Sequence, residues 1–328
     1  FADFLIELGE QENLKGWLLL PSNDHAVYTL SRNKDRLENI YKVITPAESV
    51  ILNILSKQKL LEAAKVAGVS YPLSWFPHSI NDEVPKSIRF PVLVKGKFGL
   101  TFYKTTGKKA FVINDTEALK SKIYLLSQKF NVSDLFVQEL IPLTGKNKTL
   151  SLCAFCERGE VKAYWMGNKL RQHPVEFGTA TFAESVFVPE VKKPALSLLK
   201  ELNYTGPCEV EFLLDLRDNK YKLIEINART WLWVGLARST GIDFARMVFD
   251  YANNIDFKYP EKYDLNTKWS NYLTDMVYSA ISIFKGKLSF SEFIKSYKGK
   301  VVHAVFDIRD IKPALMYFLF LFKFLKNR

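Results

Sequence analysis

The spacing of apolar and polar positions divides the chain into segments of different period. The first 45 residues alternate a helical opening through Leu14, an apolar strand at 16–20, a polar break at 21–24, a helix, and a short strand at 42–44. That order predicts part of a doubly wound α/β domain. Thr45-Pro46-Ala47-Glu48 reads as a capping box with proline at the first helical position. Ser56 is placed to cap the next helix, which ends at Gly68 before the extended Tyr71-Pro72. Short apolar runs at 91–95, 110–113 and 135–141, with a helix capped by Asn114 or Asp115 before the last, predict an α+β unit. Strands are expected at 149–157 and 160–167, joined at Arg158-Gly159. The polar stretch 168–181, punctuated by Pro and Gly, is expected to be a loop.

The most informative stretch runs from Glu209 to Arg229. Two period-two apolar runs, broken by Arg217-Asp218-Asn219, predict a β-hairpin. With a three- or five-residue loop centred on Asp218, Glu211 falls opposite Glu225 and Glu209 opposite Asn227 on one face; a strict two-residue turn breaks that match. Burying a carboxylate costs several kcal/mol unless a cation or hydrogen-bond network compensates. Glu211, Glu225 and Asn227 together form an all-oxygen set suited to Mg2+ (or Mn2+). The alternative is a hairpin with solvated acids on an exposed face.

Composition sets the outer limits. At 328 residues, with 48% hydrophobic and 25% charged, the chain is globular and long enough for two or three lobes. Its net charge of +11 suits anionic partners without choosing among them. The lysines are spread through the chain rather than gathered with aromatics, so no nucleic-acid partner is expected. Three cysteines favour a reducing, cytoplasmic location, and Cys153 and Cys156, three apart in a strand, should face opposite sides. No run reaches the roughly 18 apolar residues of a spanning helix. The nearest approach, 314–322 followed by Lys323 and Lys326, is expected to dock on the protein body, with peripheral contact at a membrane surface as the alternative.

The acidic hairpin, ending in Glu225-Ile226-Asn227-Ala228-Arg229, resembles the metal-binding hairpin of the ATP-grasp superfamily. Two further signposts stand in the expected order. Pro91-Val92-Leu93-Val94-Lys95 is similar to the strand that delivers the ATP-contacting lysine, and 136–142 is similar to the linker strand on which adenine rests. The likeness covers nearly the whole chain and is nearest to the carbamoyl-phosphate-synthase-like branch of carboxylate-amine ligases. It implies four parts: a partial N-terminal α/β domain with linking helices (1–70), a nucleotide lobe (71–142), a metal and substrate lobe (143–258), and a helical C-terminal extension (259–328). The missing opening portion of the first domain leads us to expect an N-terminally truncated chain.

The resemblance also implies roles. ATP is expected to meet Lys57, Lys95, Gln138, Glu139 and Leu140, with the metal on Glu211, Glu225 and Asn227. Arg229 is expected to neutralise charge on the transferred γ-phosphoryl group. Arg171, in the substrate-facing loop, is expected to pair with a carboxylate or phosphate. The segment 96–109, where the family carries a glycine-rich flap, has only Gly96, Gly99 and Gly107 but several lysines. Trp231-Leu232-Trp233 and the helices after it, to about Asn253, are expected to pack, with Trp233 a candidate to border the site. The reaction implied joins a small carboxylate and an amine through an acyl phosphate; the alternatives are a nucleotide-binding protein that has lost ligation and, behind it, an anionic-membrane or nucleic-acid binder resting on the +11 charge and the C-terminal run. A homo-oligomer is compatible with either.

Overall fold

The computed structural model describes residues 1–97, 99–144, 147–173 and 178–320. The N-terminal part runs α1 (Ala2–Gln11), β1 (Leu18–Leu19), α2 (Asp24–Arg32), α3 (Lys34–Leu37), β2 (Lys42–Val43), α4 (Glu48–Leu55) and α5 (Lys57–Val66). β1 and β2 pair in parallel, as a doubly wound arrangement requires. Their small core is Leu30, Leu37, Tyr41 and Val43. The expected capping box does not form. α4 begins at Glu48 without a side-chain cap, and the Thr45 hydroxyl is buried without a hydrogen-bond partner among the described residues. Ser56 does cap α5, accepting from the Lys59 amide at 3.5 Å.

The next lobe is a four-stranded sheet in the order β3 (Ser74–Trp75), β6 (Leu135–Glu139), β4 (Val92–Gly96), β5 (Phe111–Ile113). The segment joining β4 to β5, where the resemblance implies a glycine-rich flap, contains a helix, α6 (Gly99–Thr106). Phe102 anchors it, 1% exposed and stacked on Phe130. Between β5 and β6 lies α7 (Thr116–Ser127), capped by Asp115. Its Leu119, Ile123 and Leu126 close the core against Val92, Val94 and Val137.

The larger sheet joins, in chain order, β7 (Thr149–Glu157), β8 (Glu160–His173), β9 (Thr179–Ser185), β10 (Gly206–Asp215) and β11 (Lys220–Asn227), with α8 (Pro189–Glu201) before β10. α9 (Val234–Ser239) and α10 (Phe244–Ala252) follow. Spatially the strands run β11-β10-β7-β8-β9 and continue into the C-terminal extension. One face packs on α8 and α5 through Leu152, Ala154, Val210 and Phe212. The other packs on α9 and α10 through Cys153, Phe155, Trp165 and Trp233. Cys153 and Cys156 belong to these two different cores and are free thiols, as the three-residue spacing predicts.

Residues 168–173, expected in a loop, continue β8 instead. Bulges at Lys169/Arg171 and Arg171/Gln172 let its polar run pair with β9. Pro174, Val175, Glu176 and Phe177 of that expected loop lie outside the described residues, as do Leu321, Phe322, Lys323 and Lys326 of the C-terminal run.

The extension holds β12 (Lys268–Ser270), α11 (Tyr272–Phe284), α12 (Phe290–Ser296), β13 (Val301–His303) and α13 (Lys312–Leu319). β12 and β13 complete the edge of the large sheet. α13 docks through Ala314 and through the Tyr317 hydroxyl, 3.0 Å from Asn271 Oδ1.

Candidate functional site

The hairpin of β10 and β11 sets the site. Glu211 pairs with Glu225 and Glu209 with Asn227, the register expected from sequence, but the cause is different. The loop is four residues, 216–219, closed by Asp215↔Lys220, and alone it would bring Glu211 opposite Ile224. A bulge between Glu211 and Phe212 absorbs one residue and restores the match. Strand pairing then aligns Glu225, Glu211, Ser151 and Gly167 across four strands. A Cβ at Gly167 would stand 2.2 Å from Trp233, so no side chain fits there. Trp233 is 2% exposed and packs edge-on against Trp165; it is core rather than site border.

The carboxylates are buried among partners. Glu209 is 3% exposed and accepts from Ser151 Oγ at 2.8 Å and Asn227 Nδ2 at 3.0 Å. Glu211, 9% exposed, accepts from Lys169 Nζ at 2.6 Å and Asn227 Nδ2 at 3.1 Å. Burial, reinforced by Glu209, pushes the Glu211 carboxyl up to about 8 despite Lys169. Burial would lower the Lys169 ammonium, but Glu211 and Glu209 outweigh it and hold it above the usual lysine range. Glu225 is more open and lies 3.9 Å from Lys57 Nζ. Lys169 was absent from the sequence-based set because the polar run after 167 reads as loop. Strand alternation from Trp165 through Gly167 would have put it on the acidic face.

The donor set fits a hard divalent cation in type but is not a finished cage. Among the described residues, no three His, Cys, Asp or Glu side chains stand together as a ready metal site. Glu211 is engaged by an ammonium, and Asn227, as its amide is assigned, turns Nδ2 toward the acids and Oδ1 toward Arg229 Nη2 at 3.3 Å. Exchange of Lys169 for a cation and a flip of that amide would present oxygens only. Glu209, beside them, is a fourth oxygen donor.

The nucleotide-lobe residues face the hairpin across a cleft. Its walls include Leu93, Lys95, Gln138, Glu139 and Leu140 from one lobe and Leu213 and Ile224 from the other. Lys95 donates to Gln138 Oε1 at 3.1 Å. Burial, with Lys57 nearby, lowers its ammonium to about 8 against the pull of Glu225. The expectation that the linker's polar groups meet adenine directly needs amending. The Leu140 amide already donates to Pro91 O at 3.0 Å, and the Glu139 amide to Leu73 O at 2.8 Å. Glu139 also pairs with Arg217 Nη1 at 2.7 Å, tying the linker to the hairpin loop. The cleft between these walls is narrow, about 30 Å³, less than a purine fills.

The two arginines separate. Arg229 stays beside the cluster, donating to Asn227, to the Thr230 carbonyl, and to Asp24 in the first turn of α2. Arg171 does not face substrate from a loop. Its guanidinium grips Asp275 of α11 in a fork at 2.8 and 2.7 Å, donates to Ser296 Oγ, and lies 4.1 Å from the Phe182 ring. It holds the C-terminal extension to the sheet.

With this geometry in place, the similarities to known proteins become specific. The family profile described as carbamoyl-phosphate synthase L chain, ATP binding domain, matches residues 166–259. A D-aspartate ligase of Enterococcus faecium (strain Aus0004) is 22% identical over 266 residues, 76% of this chain and 62% of that one. The biotin carboxylase domain of Hydrogenobacter thermophilus 2-oxoglutarate carboxylase, solved with MgADP, ADP and bicarbonate, superposes with a TM-score of 0.62 at 18% identity, covering 81% of this chain and 60% of that one. An L-amino acid ligase from Bacillus licheniformis gives 0.57 at 16% identity, covering 76% and 59%. The chain thus spans about 60% of the length of these relatives. Two sheets facing each other across a cleft, an acidic hairpin on one and a lysine strand on the other, agree with those matches, and in fold the chain resembles the ATP-grasp proteins among them.

Proposed function

We propose that the chain is an ADP-forming carboxylate-amine ligase that uses Mg-ATP. One observation carries the reading most: Lys95 and the linker strand of one lobe share a cleft with the acidic hairpin of the other. Names of the relatives, a D-aspartate ligase and an L-amino acid ligase, point to an amino acid or similar small carboxylate as substrate class.

In this reading adenine enters between Leu93, Ile141, Leu213 and Ile224, an apolar slot whose linker strand sets its edge. Lys95 and Lys57 turn their ammonium groups to phosphate oxygens; both already lie in the field of Glu225. Glu211, Glu225 and Asn227 would hold the divalent cation, which when bound draws the phosphates together and spreads their charge. Arg229, next to Asn227, neutralises charge on the γ-phosphoryl group as it moves. A substrate carboxylate oxygen attacks the γ-phosphorus, the bond to ADP breaks, and an acyl phosphate forms. The amine then attacks the acyl carbon, phosphate leaves with the bonding pair, and the nitrogen loses a proton. Closing the lobes keeps water from the acyl phosphate.

Phosphate release, measured with ATP, Mg2+ and a panel of amino acids and dipeptides, tests the proposal. Release that requires both a carboxylate and an amine supports it. Nucleotide binding without acceptor-dependent release leaves the fold a nucleotide binder and removes ligation.

A further inference from the structure

A larger cavity lies in another part of the fold. A groove of about 500 Å³ runs between α11, α12 and the segment after β13, with Tyr272, Met276, Ile294, Tyr297 and Phe306 among its walls. Met276, Ile294 and Phe306 are themselves about half exposed. α13 sits near this groove, its Tyr317 hydroxyl donating to Asn271 Oδ1, next to Tyr272 in the groove wall. Only Ala314 of α13 is buried; Leu315 is 58% exposed, Phe318 61% and Leu319 70%. An apolar face of this extent marks an interaction surface.

Charge identifies the partner. Residues 284–320 carry seven Lys or Arg against three Asp or Glu, and residues 321–328 add two Lys and one Arg with no acid. A second copy meeting this segment across a two-fold axis would bring two net-positive segments together. An anionic surface with an apolar interior beneath it satisfies both properties. No described helix is long and apolar enough to span a membrane, and an amphipathic face with flanking cations suits the interface.

We propose that the C-terminal extension docks the protein on anionic phospholipid bilayers, with the groove rim and α13 entering the headgroup layer and the flanking cations meeting lipid phosphates. Arg171 and Asp275 fix this face rigidly to the sheet that carries the acidic hairpin, so the cleft is held at the membrane surface.

The test is co-sedimentation of the full chain with vesicles of phosphatidylcholine alone and of phosphatidylcholine with phosphatidylglycerol, two to one, over a salt series. Binding to the anionic vesicles only, weakening as salt rises, is expected. Lys298→Ala and Lys312→Ala should each lower the partition about fivefold. Leu315→Ser with Leu319→Ser should abolish it, and because both residues are exposed, circular dichroism should remain that of the parent. Absence of binding, equal binding to neutral vesicles, or a solution dimer dissociated by the Leu315/Leu319 change would overturn the proposal.

Discussion

The acidic hairpin and the face of the C-terminal extension depart from apolar-inside, polar-outside in opposite directions. In the hairpin, Glu209 and Glu211 sit at 3% and 9% exposure between strands rich in Val, Leu and Phe. In the extension, Phe284 and Ile308 stand 93% and 82% exposed. Each placement is unfavourable alone and needs a compensating partner. The hairpin has found internal ones in Lys169, Ser151 and Asn227, which keep it folded before any ligand arrives. For the extension's exposed apolar face, the partner we assign is external. The difference separates a site that must exchange partners from a surface that must acquire one.

The strongest way to break this comparison is at the hairpin. Glu225→Gln should lower turnover on the order of a thousandfold while leaving the unfolding midpoint nearly unchanged, since Glu225 is the most open of the acids. Steady-state kinetics beside thermal melts checks both halves.

The next effect falls on the joint between the regions. Asp275 is fully buried and takes the Arg171 fork, the Thr181 hydroxyl and the Tyr297 hydroxyl. Asp275→Ala should cost about 3–5 kcal/mol in urea unfolding, because it strands a partly buried guanidinium. If the extension merely rests on the body, the loss will be under 1 kcal/mol, about that of a surface pair.

Acidity sharpens the picture of the cleft. The Lys95 ammonium titrates at about 8, so it is charged below that pH and neutral above it. Affinity for nucleotide without metal, which leaves the Glu211 carboxyl out of the balance, should therefore fall as pH rises through about 8. In Lys95→Arg, whose guanidinium keeps its proton throughout, the fall should disappear. Binding titrations at pH 7 and pH 9 decide it.

The smallest effect concerns closure. Arg217 joins Glu139 of the linker to Asp215 of the hairpin and is one third exposed. Arg217→Ala should change nucleotide affinity by about 1 kcal/mol, roughly fivefold, through an easier opening of the lobes. Fluorescent nucleotide titration is sensitive enough to see it.

How much of this was readable in the chain differs residue by residue. Carboxylates in period-two apolar runs announced the hairpin, and its register came out as expected, yet for a reason local sequence does not encode. A bulge at Glu211/Phe212 compensates a four-residue loop, and bulges depend on the neighbouring strand. Arg171 and Lys169 were obscured by one polar run that reads as loop. Pairing with β9 on one side and the acids on the other makes it strand, so tertiary contacts override local polarity. Thr45 shows the limit from the other side: the capping pattern is present, but the helix starts two residues after Pro46 and leaves the hydroxyl unused.

The central claim is that a cation replaces Lys169 among the hairpin carboxylates and anchors a nucleotide's phosphates. Isothermal titration calorimetry of ATP, with and without Mg2+, on the parent and on Glu211→Gln tests it most directly. The account predicts tight binding only when Mg2+ is present, weakened at least tenfold in the variant. ATP binding of equal strength without Mg2+, or unaffected by Glu211→Gln, would contradict it.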